Sequence, residues 1–395
     1  MIEAAVSLLI PLISFVVCII TASYLGKTSY FSFLNSRVNR FGSVDGARGF
    51  LALAVFFHHF VITYYWKIEG TWKRPPDDLY QNFGKVGVVI FFMITGFLFF
   101  SKILNKNKSV NWIQLYKSRV FRIVPLYLFS LVIITLIVFV NTNYQVNVSE
   151  IRLLKEFIGW GVFFGGTING FLETKLINSG VDWTLRYEWL FYLSLPLCAF
   201  LIKKLNNFGM YFLFLGSIFL FINPIANAHF STAYIIYFCI GGGAYFIAER
   251  LKSATRNREK IVSAINLILM VLVLFYPRTL DFIHVAIIAL LFLLIVSGND
   301  IFGLLSLRSS IVLGEISYSI YLLHGIILYV IFSMFKPISF SDYSISEFIL
   351  FMPLVAVLVV LISAITYLFI EKTFIRLGKA FSFNTEKAII PVKKS

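Results

Sequence analysis

Nine ionisable side chains fall inside otherwise apolar runs of the 395-residue chain: Asp45, Arg48, His58, His59, Lys85, Arg186, Glu188, Glu315 and His324. A charge within hydrocarbon is expensive and marks function by default. Histidine in such a setting offers a proton acceptor near neutral pH, and a buried carboxylate needs a partner for its charge. The richest run is VDGARGFLALAVFFHHF at 44–60. Read as a helix, it places Arg48 and His59 about 20° apart in azimuth and about 16 Å apart along the axis, so they share one face. Asp45 lies about 60° from Arg48 on the same side, while His58 points about 80° away on the other. His59 is therefore the better candidate for work in a cavity shared with Arg48 and Asp45. The alternative is an interfacial Asp45–Arg48 pair, with both histidines hydrogen-bonded between helices.

Three further constellations carry polar chemistry. SKILNKNKSVNWIQLYKSRVFRIVP at 101–125 holds Lys102, Lys106, Lys108, Lys117, Arg119 and Arg122 without one acid. Arg119 and Arg122, three residues apart, put two forked guanidiniums on one helical face, the geometry that suits phosphate oxygens; contact with lipid headgroups is the plainer use. DWTLRYEWLFYLSLP at 182–196 makes a stripe of Thr184, Glu188 and Tyr192, with Arg186 facing elsewhere. LGEISYSIYLLHG at 313–325 aligns Ser317, Tyr321 and His324, with Glu315 and Tyr318 beside them. That stripe fits a substrate lining or a polar helix–helix contact equally. Nucleophile elbows, phosphate-binding Gly-rich loops and metal-ligand spacings are absent from the sequence. No metal is expected, and Cys18, Cys198 and Cys239 lie in apolar runs with no disulfide pattern.

The elements that must position these residues are membrane helices. The chain is 59% hydrophobic and 13% charged, with a mean hydropathy of +0.86, where soluble domains carry about 25% charged residues. That excludes a disordered chain and all but excludes a soluble one. The expected fold is an all-α polytopic bundle of eleven spans, near 5–25, 44–64, 83–100, 124–141, 183–202, 207–223, 233–248, 261–276, 283–298, 311–335 and 349–370. With the N-terminus outside and the C-terminus cytoplasmic, 23 of the 34 Lys and Arg fall on the cytoplasmic side and 8 outside, as the positive-inside rule asks. The net charge of +15 is thus read as topology and contact with membrane lipids, and no nucleic-acid partner is expected. The first run is expected to be a retained helix rather than a cleaved signal peptide. FIGWGVFFGGTINGF at 157–171 is expected to be re-entrant or interfacial, since a full crossing would invert every later loop.

Taken in order, these blocks resemble the acyltransferase family 3 proteins, integral membrane acyltransferases that modify O-antigens, peptidoglycan, exopolysaccharides, nodulation factors and macrolides. The resemblance runs from about residue 43 to 376. It rests on VDGARGFLALAVFFHH, with Arg48 and His59 at the family's Arg/His spacing, and on YKSRVFRIVPLY, with Arg119 and Arg122 at its Arg-x-x-Arg element. GKVGVVIFFMITGFLF, VDWTLRYEWLFYLSLP, LGEISYSIYLLH and IEKTFIRL are similar to further blocks, with Thr95, Arg186, Lys372 and Thr373 where other residues are commoner. The family body has ten spans, so the resemblance implies an extra helix and linker over 1–42, a membrane acyltransferase domain over 43–376 and a basic tail over 377–395. Some members carry an SGNH hydrolase-like domain; the tail here is too short for one, so transfer is expected to be completed by the membrane body.

The resemblance implies an acyl-CoA donor, most often acetyl-CoA, and a sugar hydroxyl as acceptor, on a surface glycan or lipid-linked oligosaccharide at the bacterial cytoplasmic (inner) membrane. Under it, Arg119 and Arg122 hold the CoA phosphates, with Lys117 and Tyr318 on the donor side, and the pantetheine arm rises along the Asp45, Arg48 and His59 face. His59 is the expected general base. Glu188, or Asp45, is expected to orient its ring, and Trp183, Tyr192 and His324 to contact the acceptor. A covalent acyl-histidine is the competing route. A secondary transporter or polysaccharide flippase, or an acyltransferase for a small cytoplasmic molecule, are the rival functions; transporters usually show internal repeats, and none is visible here.

Overall fold

In the computed structural model the chain is a helical bundle, described over residues 2–35, 42–104, 110–205, 207–227, 230–277 and 280–388. Lys106 and Lys108 of the basic run, the linker from 36 to 41 and the last residues of the tail, from 389, lie outside the described residues. The sixteen α-helices among those residues are α1 (Ile2–Lys27), α2 (Gly42–Glu69), α3 (Asp78–Ile103), α4 (Trp112–Asn141), α5 (Glu150–Gly161), α6 (Thr174–Ile177), α7 (Trp183–Leu205), α8 (Asn207–Ile222), α9 (Ile235–Asn257), α10 (Glu259–Leu274), α11 (Phe282–Val296), α12 (Arg308–Glu315), α13 (Ser317–Tyr329), α14 (Ile345–Ile349), α15 (Met352–Thr366) and α16 (Lys372–Ala388). Strand is confined, among the described residues, to the short pairing of Ala226–Asn227 with Phe230–Ser231.

Each of the eleven apolar windows contains a helix, but eight helices of the described chain are long and apolar enough to cross a membrane. The difference is one of length. Two further apolar stretches, Leu213–Ile222 and Phe282–Val296, are shorter, and at 1.5 Å per residue a 15-residue helix reaches about 22 Å against a hydrocarbon core of about 30 Å. The 311–335 window is not one helix either. It breaks between α12 and α13, where the Ser317 hydroxyl donates to the Gly314 carbonyl at 2.7 Å, and ends in a π-helical turn at Val330–Phe335.

Helix starts follow their capping residues. Asp77 accepts from Leu79 and Tyr80 ahead of α3, Asn111 from Gln114 ahead of α4 and Ser149 from Arg152 ahead of α5. The 157–171 run holds no helix of crossing length. Its first residues close the amphipathic α5, and the rest is irregular, with left-handed backbone at Phe163, Asn169 and Gly170. The Tyr127 hydroxyl of α4 ties this segment down by donating to the Trp160 carbonyl at 2.6 Å.

The centre of the bundle is α2, which packs on α3, α12 and α13, while α3 lies along α9 and α1 against α15 and α12. Phe56, Phe57 and Phe60 of α2 are fully buried. The outer rows, such as Leu12, Val16 and Ile20 of α1 and Leu190, Leu193 and Leu197 of α7, are exposed at helical spacing, as surfaces for lipid would be. Two glycines set the approach of the elements that bear the polar residues. A Cβ on Gly314 would meet the Asp45 carbonyl, so α12 touches the backbone of α2 beside Arg48; a Cβ on Gly325 would meet the backbone of Asn178, beside His324.

Gly314→Leu should therefore lower the thermal midpoint of the purified protein or abolish its folded peak in size-exclusion chromatography, since overpacking costs about 1–3 kcal/mol and the obstacle here is backbone. Gly216→Ala, at a helical position with open space around it, should leave the midpoint unchanged or raised. Equal behaviour of the two variants would refute the close crossing.

Candidate functional site

Three cavities follow one another through the bundle. A basic cleft of about 840 Å³ opens between α4 and α16. Arg119 and Arg122 line both it and an inner cavity of about 330 Å³. Val88 and Tyr321 line both the inner cavity and an outer one of about 110 Å³, where the paired histidines lie. The file of cavities thus runs from the Arg-x-x-Arg pair to His59.

The cations of the cleft come from three elements: Lys102 from α3, Lys117, Arg119 and Arg122 from α4, and Lys372, Arg376 and Lys379 from α16. Among the described residues, Glu315 is its one carboxylate. Helix α16 runs across residue 376, where the sequence suggested the body ends, and seats against α4 through Gly378 on Phe121 and the stacking of Phe121 with Phe381 at 6.1 Å. The expected anion surface on α4 is therefore one wall of a two-walled cleft. The other wall was missed because the run after Glu371 reads as a tail when its basic residues are counted only as topology.

The inner cavity collects opposite charges from separate helices. Asp45 and Arg48 enter from α2, Arg119 and Arg122 from α4 and Glu188 from α7. Arg48 lies within electrostatic reach of Asp45, Glu315 and Glu188, and Arg122 within reach of Glu371, Glu315 and Asp45. Glu371, fully buried, accepts from the Ser319 hydroxyl at 2.6 Å, and Glu315 from the Tyr367 hydroxyl at 2.9 Å. Glu188 accepts from the Tyr192 hydroxyl at 3.0 Å, the stripe that α7's spacing predicts. The Arg119 guanidinium lies 5.3 Å from the Phe99 ring centre. Tyr318 also lines this cavity, donating to the Ile123 carbonyl at 3.0 Å. Tyr192, expected to contact the acceptor, stands beside Arg119 and Glu188. Arg186 faces elsewhere, as its spacing suggests, over Phe164 at 4.6 Å.

The outer cavity is lined by His58, His59, Lys85, Trp183, Tyr234 and Tyr321, among others. Its key contact is unexpected: His59 Nδ1 lies 2.9 Å from His324 Nε2, and His324 Nδ1 lies 3.0 Å from its own helix's Ile320 carbonyl. Glu188 and Asp45, expected to orient His59, line the inner cavity instead. The reason is axial: Asp45 sits about 20 Å down the same helix, and the side chain of Glu188 is turned toward Tyr192 and the arginines. His324, expected to touch acceptor, is fully buried and its ring is taken up by His59 and Ile320. The azimuth argument also separates the two histidines too sharply. Their rings lie 4.9 Å apart and both reach the outer cavity, because adjacent imidazoles flank the same groove between α2 and α3. His58 is distinguished by its partner: its Nδ1 donates to the Tyr80 carbonyl at 2.8 Å and its ring rests on Gly84. Trp183 lines this cavity, and Tyr321 donates to or accepts from Thr184 at 3.0 Å at the boundary with the inner cavity.

Three residues escape any reading of helical spacing. Trp72, from the loop after α2, lies nearly parallel to the His59 ring at 6.1 Å; Tyr234 comes from a turn before α9; Glu371 comes from the π-helical turn Tyr367–Glu371. An imidazole in a small outer cavity, joined through an inner cavity and its two arginines to a basic cleft, is an arrangement that can bring an anionic donor to a hydroxyl or amine. No curated protein and no solved structure matches the chain. A family model described as an acyltransferase domain matches residues 41–368. That match takes in α2 with His59, the Arg119 and Arg122 pair, Glu188 and His324, and with most of its length covered the chain belongs to acyltransferase family 3.

Proposed function

We propose that this membrane acyltransferase moves an acyl group, most often acetyl, from acyl-CoA to a hydroxyl of a sugar in a surface glycan or lipid-linked oligosaccharide. The observation that carries the reading is the file of cavities that share Arg119 and Arg122 at one junction and Val88 and Tyr321 at the next. The basic cleft suits the phosphates of the nucleotide, for which forked guanidiniums and clustered ammoniums are the usual partners. The uncharged pantetheine arm then enters the inner cavity past Arg48, and the thioester is carried toward His59.

His59 serves as general base. It takes the proton from the acceptor hydroxyl as that oxygen attacks the thioester carbonyl; the new C–O bond forms, the C–S bond breaks, and the proton passes to the departing thiolate. Trp183 and Tyr234 supply aromatic faces beside the base, the kind of surface on which a sugar ring rests. The outer cavity, about 110 Å³, accommodates the reacting end of an acceptor rather than a whole polymer. With the basic cleft on the cytoplasmic side, as the distribution of Lys and Arg favours, the donor is held inside and the acceptor approaches from the other face of a bacterial inner membrane.

Two outcomes test the assignment in a release assay for free CoA, using purified protein, acetyl-CoA and a crude membrane glycan fraction. Arg119→Ala with Arg122→Ala should raise the acyl-CoA dissociation constant about tenfold or more and flatten its salt dependence, since charge-assisted hydrogen bonds are worth about 1.5–3 kcal/mol each. Unchanged affinity would sink the donor site. His59→Ala should lower glycan-dependent turnover by about 10²–10⁴-fold with acyl-CoA affinity kept, while His58→Ala retains most of the rate. The reverse pattern would make His58 the base.

A further inference from the structure

We propose that His324 is the positioning residue of the reaction: it fixes the tautomer of His59 and shares the proton that His59 takes up. The inference rests on the reading of His59 as general base.

The argument starts at a backbone carbonyl. His324 Nδ1 lies 3.0 Å from the Ile320 carbonyl oxygen, which can only accept, so Nδ1 carries a hydrogen. In a neutral imidazole the other nitrogen then holds a lone pair. His324 Nε2 is therefore an acceptor, and the group facing it at 2.9 Å, His59 Nδ1, is the donor. With its hydrogen committed to Nδ1, His59 presents a bare Nε2, the form a general base needs. One carbonyl on α13 thus acts on the protonation of a nitrogen on α2, through two rings that lie 22° from parallel with centres 5.0 Å apart, alongside the contact of the His59 ring with the Val55 carbonyl of its own helix.

The pair also answers where the charge goes. When His59 Nε2 accepts the hydroxyl proton, the ring becomes an imidazolium whose Nδ1–H already points at His324 Nε2. Transfer of that hydrogen across the 2.9 Å contact leaves His59 neutral and His324 as the imidazolium, still donating from Nδ1 to Ile320. No proton is gained or lost by the pair beyond the one taken from the acceptor. Its return reverses the shift, and His59 Nε2–H protonates the thiolate of the departing CoA. His324 does this without touching substrate. It is fully buried, packed edge-on by Phe56 and Tyr321, whereas His59 reaches the outer cavity.

The role differs from that of a carboxylate orienting a catalytic histidine. A carboxylate would place a permanent charge among α2 and α13, which a buried site tolerates only with further partners. A neutral imidazole orients the base by the same hydrogen bond and becomes charged only while the proton is in transit.

The test uses the full chain in detergent with ¹⁵N-labelled histidine. The chain has five histidines, and the His59 signals are identified by their loss in His59→Ala. The wild type should show His59 protonated on Nδ1. His324→Leu should turn that into a mixture of tautomers, and His324→Gln, whose amide oxygen can stand where Nε2 was, should restore it. In the CoA-release assay His324→Leu should lower kcat by about 10–100-fold, the usual cost of losing an orienting partner, with the KM for acyl-CoA kept, and His324→Gln should recover most of the rate. A wild-type His59 protonated on Nε2, or a tautomer indifferent to His324→Leu, overturns the proposal even if that variant folds poorly. Wild-type protein that releases no CoA on any glycan fraction would fail the reading of His59 as base instead, and the nitrogen spectra would still decide the tautomer.

Discussion

Charges buried among lipid-facing helices persist only if they are neutralised, hydrogen-bonded or given a wet cavity, and the arrangement of this bundle follows from how it meets that constraint. Asp45 and Arg48 enter from α2, Arg119 and Arg122 from α4, and Glu188, Glu315 and Glu371 from three other elements, and they converge on one region. The helices that bring them cannot slide freely. Gly314 meets the Asp45 carbonyl so that α12 and α2 touch backbone to backbone, and Tyr367, Ser319 and Tyr192 each spend a hydroxyl on one of the carboxylates. A polar core of this kind costs more to form than an apolar one, because both partners are desolvated before they meet. It makes sense as the lining of a path rather than as a source of stability.

The same charges sort the path into two regimes. The cleft gathers Lys102, Lys117, Lys372, Arg376 and Lys379 around the arginine pair, against Glu315 as its one carboxylate among the described residues. Beyond the pair, the arginines are matched by carboxylates. Under the donor reading, an anion is attracted as far as Arg119 and Arg122 and gains nothing by going further. A slender uncharged arm loses nothing by entering. Lys and Arg placed here for topology alone would have no reason to converge from α3, α4 and α16 on a single groove.

Much of this was legible in the sequence, and the reason is that helical spacing is local. The shared face of Arg48 and Asp45, the i, i+3 pair on α4 and the Thr184, Glu188 and Tyr192 stripe all follow from 100° per residue, and the structure keeps each. The family resemblance stood on those same residues. What failed is pairing between elements. His59 and His324 are 265 residues apart, and no wheel drawn for either helix says that their nitrogens meet. A carboxylate was the natural guess for a histidine's partner, and Glu188 was on hand, but its charge is satisfied among the arginines. Trp72 and Glu371 come from a loop and a π-helical turn, where spacing carries no azimuth. Hydropathy windows likewise found every apolar helix but not its length, so eleven windows became eight helices of crossing length among the described residues.

The separation of His59 from the carboxylates has a consequence for how the site can work. About 16 Å of α2 lies between Arg48 and His59, and over that distance the bundle turns from paired charges to aromatic and imidazole groups. A base placed beside Glu188 or Asp45 would share the field of the arginines and compete with them for those carboxylates. Set apart, with His58, His324 and Trp72 as its ring neighbours, His59 takes its orientation from imidazole and aromatic partners and leaves the charge network intact. Under the proposed reading, donor binding at the arginines and proton transfer at the histidines can then be altered one without the other. Tyr321, which with Val88 lines both cavities and meets Thr184 at 3.0 Å, stands where the two halves of the site touch.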